Sequence, residues 1–242
     1  MKDFYFKVAA KEITGLQSVN KFGSNLNIDS GSTPETVWSS GGEYVFPSSI
    51  GFLSVTSTSD DDQAGSGGAV TIEVQGLDEN YKEISETITM NGTTAVLSSG
   101  SKWFRIYRAF VVTAGVNEVN SGDITISLNS STVATIPSGL GQTQMAVFTI
   151  PASKKGFLTS ITSSILRAGS SRSANISLYK RVNGVKRMVY EFNTETTGET
   201  SFTKEFNLPL VFEEKTDLYL NVSNVSLNGT AVFASFDLVI QY

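Results

Sequence analysis

The chain contains neither cysteine nor histidine among its 242 residues. Without cysteine there is no thiol nucleophile, disulfide framework or thiolate metal site. Without histidine, the Ser-His-Asp triad and the usual zinc ligand sets are excluded as well. Catalysis by the remaining Asp, Glu, Lys, Tyr and Ser residues is not excluded. The sequence has no glycine-rich phosphate loop, so nucleotide binding has no support. We therefore expect a non-enzymatic protein with no catalytic residues, no cofactor and no metal.

Positive charge and long apolar runs are also scarce. The 18 Lys and Arg against 23 Asp and Glu give a formal net charge of −5, which argues against nucleic acid as the main partner. No apolar run approaches the roughly 20 residues of a membrane-spanning helix. The opening MKDFYFKVAA lacks the apolar centre of a secretory signal. We expect no direct nucleic-acid partner and no membrane association.

Helical periodicity is missing too, whereas strand patterns recur along the chain. No window shows a sustained helical period with caps, and the opening residues alternate only weakly, as a strand or an arm would. The Asn-Gly pairs at 91–92 and 183–184 predict tight hairpins, since a type I′ turn needs positive φ at both central positions. The pattern predicts an all-β protein of two tandem antiparallel β-sandwich domains, jelly-roll or immunoglobulin-like, with an extended N-terminal loop segment.

Composition suggests where one domain ends and the next begins. We expect an N-terminal β-sandwich domain at 1–130, which includes an extended segment at 20–47. Residues 131–144 are rich in Ser, Gly and Pro and have no sustained period, which indicates a linker. A second set of strand patterns then predicts a C-terminal β-sandwich domain at 145–242.

The extended segment carries large aromatic residues that a solvated linker has no use for: Phe22, Trp38, Tyr44 and Phe46. Aromatic residues dominate the energetics of protein interfaces, so these four are candidate interface anchors. The alternative is that the segment covers the core of its own domain. Residue types alone do not separate these two possibilities.

A compact basic cluster brackets the second Asn-Gly pair: Lys180, Arg181, Lys186 and Arg187. Placed on a hairpin, these side chains would meet an acidic partner surface, with an attraction that weakens in salt. The alternative is a solubilising edge hairpin whose Lys and Arg discourage unwanted strand pairing.

Two other charged groups could bind a ligand, but each also has an ordinary structural interpretation. The run Asp60–Asp62 could ligate calcium, but it lacks the spaced ligands and the distal Glu of a calcium loop, and charge runs at hairpin tips are usually solvated. Lys102, Arg105 and Arg108 flank aromatic residues and could stack on a nucleic acid or a sugar. Lys102 and Arg105 fall on opposite pleat faces, which favours an ordinary sheet face.

Roughly the first 130 residues contain several separate sequence blocks, which follow one another in this order: NKFGSNLNIDS at 20–30, TPETVW at 33–38, GGEYVFP at 41–47, VTIEVQGLD at 70–78, ISETITMNGTT at 84–94, FRIYRAFV at 104–111 and SGDITI at 121–126. In these blocks the chain resembles virion structural proteins of tailed bacteriophages. The C-terminal half shows only generic β patterns.

The resemblance implies a virion component without catalytic residues, assembled in the host bacterial cytoplasm, a reducing compartment that suits a chain without cysteine. Within that class we expect a capsid decoration or cement protein that binds and stabilises the assembled shell. Its partners would be the major capsid protein or other virion proteins, and it would be a homo-oligomer, with a trimer favoured. One alternative is a tail, neck or head-tail connection protein. A second is a carbohydrate- or receptor-binding module, which would show an aromatic-lined groove with paired carboxylates.

Overall fold

A computed structural model describes residues 2–166, 170–196 and 201–242 of the chain. This part contains one helix, α1, and sixteen strands, so the expected all-β class is confirmed. None of its helices is long and apolar enough to cross a bilayer. The elements are α1 (Lys2–Ala9), β1 (Leu16–Ile28), β2 (Glu35–Thr36), β3 (Leu53–Ser57), β4 (Ala69–Leu77), β5 (Glu83–Thr89), β6 (Val96–Leu97), β7 (Arg105–Ala114), β8 (Ile124–Leu128), β9 (Ser131–Ile136), β10 (Val147–Thr149), β11 (Lys155–Ile165), β12 (Ser173–Val182), β13 (Val185–Glu195), β14 (Ser201–Phe212), β15 (Asp217–Val225) and β16 (Thr230–Gln241).

The strands form four antiparallel sheets, divided between two compact units. Unit 1 combines the residues up to Glu43 with those from Ala146 onward, and unit 2 comprises Tyr44–Met145. In unit 1, sheet 1 has the strand order β1-β16-β11-β14, and sheet 2 has the order β10-β15-β12-β13 with β2 paired to β15. In unit 2, sheet 3 has the order β6-β3-β8-β9 and sheet 4 the order β5-β4-β7.

These units differ from the expected domains at 1–130 and 145–242. Strand β1 pairs with β16 in a register that runs from Leu16 opposite Gln241 to Ile28 opposite Thr230, so both ends of the chain share one sheet. Unit 2 is therefore inserted within unit 1 in sequence, and the two are not in tandem. The expected linker at 131–144 includes β9, which pairs with β8. The β-sandwich arrangement within each unit stays a prediction.

The core of each unit follows the period of two that a half-buried strand imposes. In β16 of unit 1, Phe236 is fully buried, while its neighbours Ser235 and Asp237 point to the other face and are partly exposed. In unit 2, Leu53 and Val55 of β3 are fully buried in the same way. The alternation therefore puts Phe236 on the inner face of sheet 1 and Ser235 and Asp237 on its other face, which we call the outer face.

Local signals in the sequence had mixed outcomes. The hairpin at Asn183-Gly184 is confirmed, since both residues have positive φ and Val182 pairs with Val185 across the turn. The hairpin predicted at 91–92 is wrong: β5 pairs with β4 whereas β6 pairs with β3, so this loop connects two sheets.

The opening residues form helix α1, where their weak alternation had predicted a strand or an arm. Val8 is almost completely buried, and Tyr5 lies one turn earlier on the same side of the helix. Lys11, with a φ of 60°, follows the helix in the left-handed conformation that ends many helices. A helix of 8 residues is too short for a periodic signal to stand out in the sequence.

Candidate functional site

The structure brings the four predicted basic residues together on the hairpin formed by β12 and β13. Lys180 lies directly opposite Arg187, and Arg181 lies directly opposite Lys186, on either side of the two-residue turn. Residues opposite each other in an antiparallel pair project to the same face, so the two pairs lie on opposite faces of the hairpin.

One of these faces is tied into unit 1 by ion pairs. The Arg181 guanidinium lies 3.6 Å from Oδ2 of Asp217, whose side chain is only 4% exposed, and Lys186 Nζ lies 2.6 Å from Glu43 Oε1. Asp217 also accepts a hydrogen bond of 2.7 Å from Thr149 Oγ1. Arg181 and Lys186 therefore serve the structure of unit 1 itself.

Aromatic residues complete that face. The Lys186 ammonium lies 4.3 Å from the ring centre of Tyr179, which stacks on Tyr219 at 5.7 Å. Burial raises the pKa of the Tyr219 phenol, and the negative charge of Glu43 raises it further. The phenol therefore stays neutral beside a cation that is already paired.

The opposite face of the hairpin differs, since no ion pair to it is present in the part of the chain that the structure describes. It carries Lys180 and Val182 on β12, with Val185 and Arg187 opposite them on β13, and we call these four residues the hairpin surface. Val185 is 52% exposed and Arg187 is exposed. In the described residues, neither Lys180 nor Arg187 has an ion pair. Two like charges directly opposite each other destabilise a strand pair, and here nothing in the described chain offsets that cost.

The aromatic residues of the 20–47 segment are mostly buried. Trp38, Tyr44 and Phe46 are 5%, 4% and 6% exposed, and Phe22 is half-buried. Trp38 Nε1 donates a 3.0 Å hydrogen bond to the carbonyl of Gly42, and the rings of Tyr44 and Phe46 meet edge to face at 4.9 Å. This burial supports the alternative in which the segment covers the protein's own core. The role of these residues as interface anchors stays a prediction.

The second basic group of the sequence does not form a single patch. Arg105 is 5% exposed, its guanidinium lies 4.0 Å from the ring centre of Phe104, and it donates a 2.9 Å hydrogen bond to the carbonyl of Pro47. Arg108 and Lys102 are exposed. Because Arg105 is buried in unit 2, it cannot act with them on a nucleic acid or a sugar.

The acidic run Asp60–Asp62 also separates into different roles. Asp62 is fully buried and accepts hydrogen bonds from the backbone of Ala69 and Gly122, among others. The hydroxyl of Thr93 donates to Asp60 and lowers the pKa of that carboxyl, with a smaller contribution from the Thr93 backbone. Within the described residues, no cluster of three or more acidic, His or Cys side chains is placed to hold a metal ion.

No family model and no curated protein matches the chain. Among solved structures, similarity is found to the Gt strain of infectious bursal disease virus, with 13% identity, coverage of 93% of this chain and 72% of that chain, and a TM-score of 0.26. The Gx strain gives 11% identity, coverage of 93% and 74%, and a TM-score of 0.22. The T13 particle of the same virus gives 16% identity, coverage of 93% of this chain and 68% of that chain, and a TM-score of 0.18. These structural neighbours are proteins of viral particles.

Proposed function

We propose that this chain is a non-enzymatic virion structural protein that binds an assembled shell as a decoration or cement protein. The observation that supports it is the hairpin surface, where Lys180 and Arg187 lie opposite each other without a counter-ion in the described chain. The blocks in the first 130 residues that resemble virion proteins of tailed bacteriophages support the same class.

The physical argument rests on what an acidic partner would change. A carboxylate placed between Lys180 and Arg187 removes the repulsion between the two cations and speeds association by electrostatic attraction. The exposed Val185 beside them adds apolar area that docking removes from water, at roughly 25 cal/mol per Å². A mixed cationic and apolar surface of this kind suits a protein partner with an acidic patch, for which the major capsid protein is our candidate.

The proposal includes a homo-oligomer, with a trimer as the first expectation. Shell-binding proteins sit on symmetric lattices, and a closed oligomer with several hairpin surfaces would engage several capsid subunits together. Multivalent binding of this kind gains avidity without any new contact, so a modest affinity at each hairpin is sufficient.

The first test is the copy number of this chain in purified virions, measured by gel densitometry against the major capsid protein. A ratio equal to the number of capsid subunits, or to a simple fraction of it, supports decoration. A few copies per particle would overturn the decoration role in favour of the tail, neck or head-tail connection. Absence from the particle would overturn the virion assignment itself.

A second test addresses the hairpin surface. The double variant Lys180→Glu/Arg187→Glu should associate with isolated shells at least about tenfold more slowly than the wild type, and wild-type binding should weaken as salt rises. Lys102→Glu/Arg108→Glu is the matched control, because it reverses two exposed charges in unit 2. Equal loss in both variants would indicate a general charge effect, and binding to nucleic acid in place of shells would contradict the proposed partner.

A further inference from the structure

A cleft of about 500 Å³ lies on the outer face of sheet 1, where α1 crosses the sheet. This volume is within the range of small-molecule sites. The cleft belongs entirely to unit 1 and shares no residue with the hairpin surface. From the side chains that line it, we infer that this cleft binds a neutral oligosaccharide.

The floor of the cleft is a row of polar side chains that crosses all four strands of sheet 1. Asn20 of β1 pairs with Asp237 of β16, Asp237 pairs with Ser160 of β11, and Ser160 pairs with Glu205 of β14. Neighbouring strands lie about 4.8 Å apart, so an amide, a carboxylate, a hydroxyl and a second carboxylate follow one another at that spacing. A chain of sugar rings presents hydroxyl groups on a comparable repeat.

The central carboxylate of this row is held in place from both sides. Asn20 Nδ2 donates to Asp237 Oδ1 at 2.6 Å, and Ser160 Oγ donates to Asp237 Oδ2 at 2.6 Å. A carboxylate can accept about four hydrogen bonds, so two positions remain for ligand hydroxyls. Because the carboxylate is already oriented, little side-chain freedom is lost when a ligand binds.

An aromatic side chain stands beside this row, since Tyr5 projects from α1. Phe206, in a bulge of β14, also borders the cleft, but its ring packs edge to face on Tyr190 of β13 at 5.6 Å and lies near the Lys204 ammonium. Between Leu158 opposite Leu210 and Ser160 opposite Glu205, β14 has four residues where β11 has one. A bulge on an edge strand bends that strand, and here it shapes one side of the cleft. The Tyr5 ring is the aromatic surface on which the C–H face of a sugar ring would pack.

The charge of the cleft restricts its ligand. Among the described residues that line it, Asp237 and Glu205 are acidic and none is Lys or Arg. A phosphate, sulfate or carboxylate ligand would meet like charge with no cation to offset it. The hydroxyl and amide groups of Ser18, Asn20 and Asn207 instead provide both donors and acceptors, which suit an uncharged polyhydroxyl ligand.

The test is a panel of neutral gluco-, galacto- and manno-oligosaccharides on an array, followed by titration calorimetry of any sugar that binds. Tyr5→Ala and Asp237→Ala should each weaken binding at least several-fold, because the first removes the aromatic contact and the second removes the acceptor positions left for ligand hydroxyls. Phe52→Ala is the matched control, because it removes a partly exposed aromatic in unit 2. Circular dichroism and thermal unfolding show whether each variant is folded, and Asp237→Ala tests the cleft separately if Tyr5→Ala releases α1.

The outcomes separate the ligand classes. Binding of a neutral sugar that the two cleft variants weaken and Phe52→Ala does not would support the inference. Two carboxylates beside the Tyr5 ring could also accept a cationic amine, so spermine is tested in parallel. Binding of spermine without binding of any sugar overturns the inference, as does sugar binding that the cleft variants leave unchanged. Absence of binding to the whole panel at millimolar sugar overturns it too.

Discussion

Asp62 offers the sharpest test of how unit 2 is held together, because its carboxylate is fully buried among backbone donors. Its Oδ1 accepts hydrogen bonds from the backbone N–H groups of Ala69 at 2.7 Å and Ser121 at 2.8 Å. Its Oδ2 accepts from Ser57 Oγ at 2.5 Å and from the Gly122 N–H at 2.9 Å. Asp62 thus connects the end of β3, the start of β4 and the loop before β8.

The magnitude of the effect follows from the donors that lose their acceptor. Asp62→Ala leaves three backbone N–H groups without a partner, and each buried unsatisfied donor costs about 1–3 kcal/mol. Water that enters the vacated space will satisfy part of this demand, so we expect a loss of about 3–5 kcal/mol in the free energy of unfolding. Such a loss is a large fraction of the 5–15 kcal/mol that stabilises a typical domain.

Asp62→Asn is a more stringent test of this reasoning, because it removes the charge and keeps the size of the side chain. An amide oxygen at the position of Oδ1 still accepts hydrogen bonds from the N–H groups of Ala69 and Ser121. The amide NH₂ at the position of Oδ2 faces the Gly122 N–H and cannot accept from it. The Ser57 hydroxyl can rotate and accept from the amide, so one backbone donor loses its partner. We therefore expect Asp62→Asn to cost about 1–3 kcal/mol, less than Asp62→Ala.

The assay is guanidinium denaturation followed by tryptophan fluorescence. The chain has two tryptophans, and Trp103 lies in unit 2 with 1% of its surface exposed, whereas Trp38 lies in unit 1. In a Trp38→Phe background the signal reports unit 2 alone, which matters because two units need not unfold in one transition. The matched control is Asp61→Ala, since Asp61 is exposed, and its effect should stay within about 0.5 kcal/mol. Equal stability of the Asp61 and Asp62 variants would refute the reasoning.

Two further predictions concern packing and pH in unit 2. A Cβ on Gly76 would come within 2.0 Å of the Arg105 carbonyl oxygen, so Gly76→Ala should destabilise unit 2 by about 1–3 kcal/mol in the same denaturation assay. An unchanged free energy of unfolding would contradict this close packing. Burial and, to a lesser extent, the charge of Glu83 raise the pKa of the Tyr107 phenol above its ordinary value of about 10, so its contribution to stability is fully present below pH 10 and is lost as pH rises beyond it. Tyr107→Phe should therefore lose less stability than the wild type between pH 9 and pH 11 in thermal unfolding, and parallel losses would refute the assignment.

The features predicted from the sequence are those fixed by neighbours in the chain. The all-β class follows from alternation within single strands. The hairpin at Asn183-Gly184 follows from two residues that tolerate positive φ, and it brings Lys180 opposite Arg187 with no further information. At Asn91-Gly92 the same local signal gave the wrong hairpin, because Gly92 instead donates a backbone hydrogen bond to the carbonyl of Asp62 in another part of unit 2.

The features missed are those that depend on which strands become partners. Nothing in the alternation of β1 shows that it pairs with β16, and this pairing is what makes unit 2 an insertion. The floor of the cleft depends on the same pairing, since Asn20 and Asp237 are 217 residues apart in sequence. From the sequence, a carbohydrate-binding module was expected to have an aromatic-lined groove with paired carboxylates. Alternation within single strands does not show which residues would form that groove.

The hairpin surface and the cleft differ in how they use the same fold. The hairpin surface lies on sheet 2, where Lys180 and Arg187 lie opposite each other and neither has an ion pair within the described residues. The cleft lies on the outer face of sheet 1, where the hydrogen bonds of Asp237 are already formed before any ligand arrives. Because the two sites share no residue, their variants should act independently. A particle-bound protein of this design would keep its shell contact on one sheet and leave the other free to meet a sugar.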